Sequence, residues 1–128
     1  MGVKRYQDLV AWQLANELKN NVYELVAGSP SAVEDREFSA QIKGSASSAP
    51  ANIAEGFGAY QHREAARYTR IARSSLMETH NHLGDGADRK YWNRETAATH
   101  QELADRAIGA MTRLLRHLVT TDAPSSWE

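Results

Sequence analysis

The sequence contains no cysteine among its 128 residues. This absence excludes disulfides, thiolate metal sites and cysteine nucleophiles together. An excess of one charge is absent as well, because 15 Lys and Arg stand against 16 Asp and Glu, for a formal net charge of −1. A strongly cationic protein of the histone kind is therefore excluded, whereas a local basic patch is not.

Bulky apolar residues are scarce, since Leu, Ile, Val and Phe number 10, 4, 6 and 2. Alanine is abundant instead, with 20 residues. Alanine has the highest helix propensity of all residues, and the β-branched residues that favour strands are few. The composition therefore predicts a small, all-α protein of one domain.

The chain also lacks long hydrophobic runs. Lys4 and Arg5 are followed by frequent polar residues rather than by the apolar core of a signal peptide. The longest uncharged stretch, residues 44–54, is rich in Ser, Gly and Pro. A bilayer span takes about 20 apolar residues, so this stretch is too short and too polar. These features predict a cytoplasmic protein with no membrane partner.

Apolar residues recur at steps of three and four, which predicts four amphipathic helices over residues 8–27, 34–57, 62–83 and 93–119. We expect residues 29–34 to form a turn, Gly84-Asp85-Gly86 to end the third helix, and Asn93 to cap the fourth. Helices of this length joined by short loops pack antiparallel. The pattern predicts an up-down-up-down four-helix bundle as one domain over residues 1–120, followed by a flexible tail over residues 121–128.

The middle of the second predicted helix combines small residues with Pro50. Proline removes one intrahelical hydrogen bond and so kinks or splits a helix. The apolar spacing continues through Ile53 and Phe57. This continuity favours one helix, kinked near Pro50, over two separate helices.

Motifs for metal-dependent and hydrolytic chemistry are absent from the sequence. No Glu is followed by His three residues later, as di-iron bundles require, and no His-Glu-x-x-His occurs. The sequence also has no Gly-x-Ser-x-Gly motif and no nucleotide-binding glycine loop. We therefore predict a non-enzymatic protein without catalytic residues, metal, cofactor or small-molecule substrate.

Four arginines lie at steps of four, three and three residues along the third predicted helix. The spacing aligns them on one face, and we name this set the arginine stripe: Arg63, Arg67, Arg70 and Arg73. One interpretation is a surface that binds nucleic-acid phosphates. The other is a solvated face, or ion pairs with a neighbouring subunit or with Glu34, Asp35 and Glu37. The near-neutral net charge and the lack of interleaved aromatic residues favour the second interpretation.

The first predicted helix carries large apolar residues away from its core face, namely Leu9, Trp12 and Tyr23. Single exposed apolar residues are ordinary on protein surfaces. Aromatic residues are enriched where subunits meet, however, and these three residues share one side of the helix. The alignment favours an oligomer interface.

Two segments carry a resemblance to a known family. The first is Pro50-x-Asn52-Ile53-Ala54-Glu55-Gly56, and the second covers residues 67–78. Together with residues 6–13, they resemble the four-helix-bundle family of 23S ribosomal RNA intervening-sequence proteins. The segment Pro50-x-Asn52-Ile53-Ala54-Glu55-Gly56 is named the signature segment below.

The resemblance implies a left-handed four-helix bundle that assembles as a ring-shaped homopentamer, with no known catalytic activity. A related group, the accessory proteins of diversity-generating retroelements, binds nucleic acid through basic surfaces. Those proteins carry a net positive charge, whereas this chain is nearly neutral. Of its residues, only the arginine stripe therefore corresponds to their nucleic-acid-binding surfaces.

The signature segment also has a structural interpretation. Asn52 and Glu55 follow Pro50, where a backbone group loses its helical partner. Their side chains are expected to satisfy such groups or to bridge to the arginine stripe, and Gly56 permits close packing or a helix end. We therefore interpret the segment as specifying the bundle rather than an active site.

Two functions follow from these patterns. The first is a homo-oligomeric scaffold whose partner is another macromolecule. The alternative is an accessory protein that binds RNA or DNA through the arginine stripe.

Overall fold

The computed structural model describes residues 3–59 and 61–120. A short 3-10 helix, Tyr6–Asp8, precedes five α-helices: α1 Val10–Ala27, α2 Pro30–Glu34, α3 Arg36–Phe57, α4 His62–Asp88 and α5 Arg94–Val119. The described ranges contain no β-strand. The prediction of an all-α protein is confirmed, and the flexible tail predicted over residues 121–128 lies outside the described residues.

Side-chain caps define the starts of α3 and α5, and the cap at Asn93 is the one that the sequence predicts. The Asp35 carboxylate accepts a hydrogen bond from the backbone N–H of Phe38 at 3.1 Å. The Asn93 side chain accepts one from the backbone N–H of Thr96 at 2.7 Å. Each cap satisfies one of the backbone donors that a helix leaves open at its first turn.

The segment predicted as a turn over residues 29–34 is a helix, so that prediction is wrong. Ser29 caps α2 by accepting a hydrogen bond from the backbone N–H of Ala32 at 3.3 Å. Pro30 occupies the first helical position, where its missing N–H costs nothing and its fixed φ suits the helix. The Gly-Ser-Pro sequence therefore ends α1 and also starts α2.

The end predicted for the third helix at Gly84-Asp85-Gly86 is also wrong, because α4 continues to Asp88. The indole of Trp92 packs against Gly86, and its N–H donates to the Leu83 carbonyl at 2.9 Å. The chain turns after the helix at Lys90, whose φ of 69° is in the left-handed region. The glycine at position 86 thus makes room for a neighbouring ring and does not terminate the helix.

Pro50 lies inside α3, and the helix extends without a break from Arg36 to Phe57. The split that proline sometimes causes does not occur here. The proline is buried, and its neighbours Ala46, Ala49 and Ile53 belong to the core. Packing of this face holds the helix together across the missing hydrogen bond.

The core combines a few large side chains with many alanines. The largest fully buried apolar residues include Leu18 of α1, Ile42 and Ile53 of α3, Leu76 and Leu83 of α4, and Met111 and Leu118 of α5. All four long helices therefore contribute to one apolar core. Alanines between these residues let the helix backbones approach closely, which accounts for the small share of bulky residues in the composition.

A row of hydroxyl groups joins α3 to α4 inside this core. The hydroxyl oxygens of Ser45 and Thr79 lie 2.8 Å apart, and Ser75 donates to the Ser48 hydroxyl at 2.8 Å. Asp35, at the start of α3, accepts a hydrogen bond from Arg89, which follows α4. Earlier positions on α3 therefore meet later positions on α4.

Candidate nucleic-acid interface

The arginine stripe lies on the outer face of α4. Arg63, Arg67 and Arg70 are exposed, and Arg73 is half-buried. Buried residues alternate with them at helical spacing, among them Ala66, Thr69 and Ala72. The apolar side of α4 packs into the core, so the stripe projects away from it.

Two of the four arginines have partners within the chain. The Arg73 Nε donates to the Thr112 hydroxyl of α5 at 3.0 Å. The Arg67 guanidinium lies over the ring of Tyr68, 4.5 Å from the ring centroid. Neither partner is an acid, so these contacts orient the guanidinium groups without neutralising their charge.

The acids proposed as partners for the stripe lie elsewhere. Asp35 accepts hydrogen bonds from Arg89 at 3.0 Å and from the Tyr91 hydroxyl. Glu34 and Glu37 are exposed, and they flank Asp35 in the sequence around the start of α3. Across residues 3–59 and 61–120, none of the four arginines of the stripe forms an ion pair. The intrachain ion pairs expected from the sequence are therefore not formed.

The contacts of Asp35 shift the ionisation of three groups. The hydroxyl of Tyr91, the backbone N–H of Phe38 and the Arg89 charge together hold the pKa of Asp35 below its ordinary value. The same hydrogen bond raises the pKa of Tyr91. Its hydrogen bond with Tyr91, and the one that it donates to the Asp85 carboxylate, raise the pKa of Arg89. This cluster joins the α4–α5 connection to the start of α3.

The signature segment lies mostly in the interior. Pro50, Ile53 and Gly56 are buried, while Ala54 is half-buried. Asn52 donates to the Ser48 carbonyl at 2.8 Å and to the Ser48 hydroxyl at 3.0 Å. Pro50 has no N–H, so the Ala46 carbonyl lacks its helical donor. Asn52 does not replace that donor, because its side chain bonds the Ser48 carbonyl instead.

Glu55 does not bridge to the arginine stripe, contrary to one of the alternatives drawn from the sequence. It is exposed at the end of α3, where it lines a shallow depression of about 250 Å³ together with Gly58, Glu64 and Tyr68. Two carboxylates and a phenol in an open depression form no recognisable catalytic set. The buried residues of the signature segment, Pro50, Ile53 and Gly56, lie in the interior and not at a surface site.

The candidate interface on α1 separates into three different environments. Leu9 is buried in the core, so its assignment to an outward strip is wrong. Leu9 precedes α1 with an extended backbone, φ −73° and ψ 128°, and the angular spacing of a helix does not apply to it. Trp12 is half-buried and its ring contacts Tyr6 edge-on, at a centroid distance of 5.4 Å. Tyr23 is 43% exposed, with Lys43 over its ring.

The histidines and acids of the described ranges form pairs rather than a metal centre. His80 lies 3.4 Å from Asp105, and His82 lies 3.3 Å from Glu78. No group of three or more potential metal ligands occurs in residues 3–59 and 61–120. Within the same ranges, no helix is both long enough and apolar enough to cross a bilayer.

Sequence reasoning missed two further exposed arginines, Arg113 and Arg116, which lie near the end of α5. Thr112, the partner of Arg73, immediately precedes them. Their spacing of three residues was a visible signal of a second basic row. The pairing of α4 with α5 brings Arg116 beside the stripe, whereas Arg113 lines a depression with Leu9 and Val10 at the start of α1.

Comparison with known proteins supports the fold and the resemblance. The chain is similar to a protein of unknown function from the S23 ribosomal protein family of Bacteroides thetaiotaomicron, whose crystal structure was determined at 1.70 Å resolution. The two share 20% sequence identity with a TM-score of 0.75, over 84% of this chain and 99% of that one. At this identity the similarity is one of fold. No curated protein shows significant similarity to the chain.

The family model described as 23S rRNA-intervening sequence protein matches residues 7–113. That range contains α1 to α4 in full and most of α5, together with the signature segment and the arginine stripe. The resemblance carried by the sequence motifs is therefore confirmed. The chain belongs to the 23S rRNA-intervening sequence protein family.

Proposed function

We propose that the protein is a non-enzymatic, cytoplasmic nucleic-acid-binding protein that contacts RNA or DNA phosphates through the arginine stripe. The observation that carries this proposal is the stripe's exposure without any ion pair across residues 3–59 and 61–120. Arg63, Arg67 and Arg70 all face solvent on one side of α4. Like charges at three- and four-residue spacing repel by a few tenths of a kcal/mol per pair, and a polyanion relieves that repulsion.

The net charge of −1 does not argue against this function. Asp35 is engaged with Arg89 and Tyr91, which follow α4 at the opposite end from the stripe. Phosphate binding depends on the local potential of a surface and not on the total charge. Binding of a polyanion to such a surface releases counterions, so the binding affinity falls as the salt concentration rises.

The experiment measures binding of a labelled RNA and a labelled DNA at several salt concentrations. The variant Arg67→Gln/Arg70→Gln should weaken binding and reduce the log–log salt slope by about two, because each lost phosphate contact removes about one unit. Arg36→Gln/Lys90→Asn, which removes the same charge from exposed positions elsewhere, serves as the matched control. If neither nucleic acid is retained at low salt, the proposal is wrong.

A second candidate function is a homo-oligomeric scaffold, in the form of a homopentameric ring. Tyr23 and the 61% exposed Val10 support it, since both are large apolar residues on α1 that face solvent. Gly44 supports it as well, because a Cβ at this position would meet nothing within 4 Å and another helix could approach closely. Rotational symmetry of this kind joins two different patches of each copy.

Light scattering distinguishes the assembly states at micromolar concentration. The ring predicts a mass five times 14.2 kDa, and Tyr23→Asp should lower that mass without loss of helical content. Tyr23 is the better test position, because Trp12→Asp would also disrupt the contact of Trp12 with Tyr6. A mass of one chain would refute the scaffold, and a mass of two would keep an interface but reject the ring.

The finer architecture forms part of this proposal. We infer an antiparallel, up-down-up-down, left-handed arrangement of α1, α3, α4 and α5, with α3 bent near Pro50. The opposite order of the contacting positions on α3 and α4 supports it, as does the pairing of Arg73 with Thr112 and of Gln101 with the His80 carbonyl. An experimental structure would test the handedness and the bend.

A further inference from the structure

A depression of about 400 Å³ lies where the start of α1 meets the last turns of α5. Most of its wall is apolar, formed by Val3, Leu9, Val10, Ala11, Ala110 and Leu114. Val10 is 61% exposed and Leu114 is half-buried, so both helices present apolar surface there. A volume of this size is typical of binding pockets, and covering the apolar wall is favourable.

The charged residues of the depression leave one cation without an acidic partner. The Asp8 carboxylate lines the depression and pairs with Arg5 at 3.2 Å. Arg113 lies on the α5 side, is exposed, and forms no ion pair within the described part of the chain. Its Nη1 lies 3.5 Å from the position of a Cβ on Gly109, so the guanidinium extends back along α5. The depression therefore combines an apolar wall with a cation that a carboxylate can pair.

The residues that follow α5 have a composition that matches these two features. Residues 121–128 read Thr-Asp-Ala-Pro-Ser-Ser-Trp-Glu, with two acids and no Lys or Arg. Trp127 supplies a large apolar ring, and Glu128 supplies a carboxylate directly beside it. An aromatic ring gains from burial against apolar residues, and a carboxylate accepts hydrogen bonds from a guanidinium group.

The segment is also long enough to reach the depression of its own chain. α5 ends at Val119, with Thr120 as its cap. The α5 residues of the depression lie between 110 and 117, so its far edge is about 15 Å back along the helix from the cap. Trp127 lies seven residues beyond Thr120, and seven extended residues span about 23 Å. Pro124 disfavours a continuation of α5, because it has no N–H for a helical hydrogen bond.

We infer that the depression is the docking site of the chain's own residues 121–128, with the Trp127 ring on the apolar wall and the Glu128 carboxylate beside Arg113. Docking of this segment does not depend on nucleic-acid binding. It is an alternative to the flexible tail predicted from the sequence for these residues. It also gives Val10 a partner within the chain, in place of the subunit contact considered for the ring.

The indole N–H signal of Trp127 in an NMR spectrum of the 128-residue chain tests the docking. Trp127→Phe assigns this signal among the three tryptophans, and a free peptide of residues 121–128 gives its undocked position. We expect the signal of the unmodified protein away from the peptide position, with nuclear Overhauser contacts to the methyl groups of Val10 and Leu114. Val10→Glu should return the signal to the peptide position, because the ring would otherwise bury a charge.

Arg113→Gln tests the charged half of the site separately. The signal should move measurably towards the peptide position, and added salt should act in the same direction. Val33→Glu is the matched control for Val10→Glu, since Val33 is 51% exposed on α2, near the other end of α1. Arg36→Gln controls for the loss of one exposed arginine. Circular dichroism of each variant checks that the helices are retained.

Three results would overturn the inference. The first is a Trp127 signal at the free-peptide position in the unmodified protein, which would agree with a flexible tail. The second is a signal that either Val10→Glu or Arg113→Gln leaves in place, because the segment would then pack elsewhere. The third is a shift that disappears on dilution, which would assign the segment to a second copy. A shift that is independent of concentration and that both variants reduce supports docking within one chain.

Discussion

The indole of Trp92 occupies the space that a side chain on Gly86 would need. A Cβ built on Gly86 would lie 2.1 Å from the Cζ2 of Trp92, far inside van der Waals contact. Trp92 is buried, contacts Phe38, and is held by its hydrogen bond to the Leu83 carbonyl. The ring therefore has little freedom to move away.

Gly86→Ala should destabilise the protein by about 1–3 kcal/mol, because overpacking outweighs the gain of about 1 kcal/mol in helix propensity. Gly109→Ala is the matched control, since a Cβ on this helical glycine of α5 would meet only the Arg113 side chain, at an ordinary van der Waals distance of 3.5 Å. That variant should be stabilised by about 0.5–1 kcal/mol. Urea unfolding measures both, and shifts of the same sign would contradict the prediction.

The hydroxyl pair between Ser45 and Thr79 should contribute measurably to the packing of α3 on α4. Thr79→Val keeps the shape of the side chain and removes the hydroxyl, which should cost about 1–2 kcal/mol of unfolding free energy. Ser45→Ala removes the other partner. The double variant should cost less than the sum of the two, because each single change also leaves the other hydroxyl with only a carbonyl of its own helix, that of Ile42 or Ser75.

Ser47→Ala provides the control for this pair. Ser47 bonds only to the carbonyls of Lys43 and Gly44 on its own helix, so its loss should change stability by less than about 0.5 kcal/mol. Strict additivity of Ser45→Ala and Thr79→Val would show that the two hydroxyls are not coupled.

The contact between Tyr91 and Asp35 should make stability depend on acid pH. The Tyr91 hydroxyl lowers the pKa of Asp35 below its ordinary value of 3.8, so the ionised carboxylate stabilises the fold above that pH. The contribution is lost as the pH falls through the lowered pKa of the folded state. Tyr91→Phe should therefore destabilise the protein at pH 7, and the difference from the unmodified protein should shrink as the pH falls below the ordinary carboxyl value of 3.8.

Urea unfolding at neutral pH and in acid, together with an NMR titration of the Asp35 carboxyl, measures this effect. Tyr23→Phe is the control, since Tyr23 is exposed and packs under Lys43. A Tyr91→Phe variant whose Asp35 titrates as in the unmodified protein would contradict the assignment of the Tyr91 hydroxyl as the main cause of the shift.

Local patterns in the sequence were sufficient for the long helices and for the face that carries the arginine stripe. Helix formation depends on residues three and four positions apart, and α1, α3, α4 and α5 all follow that period. The caps at Asp35 and Asn93 are local as well, because each side chain bonds a backbone N–H three residues later. The arginine stripe is equally local, since its members are three or four positions apart on one helix.

The remaining features depend on contacts between residues that are distant in the sequence, and only the tertiary structure shows these contacts. The end of α4 depends on Trp92 folding back onto Gly86, and the partners of Asp35 are 54 and 56 residues away. Leu9 is buried because an extended residue precedes α1, which helical periodicity does not describe. Arg116 lies beside the stripe because α5 packs on α4, where Thr112, one turn earlier, accepts a hydrogen bond from Arg73. The four long helices and their apolar faces thus follow from local sequence patterns, although α2 and the end of α4 do not. Packing decided how those faces pair, because side-chain complementarity across the core is not encoded in local spacing.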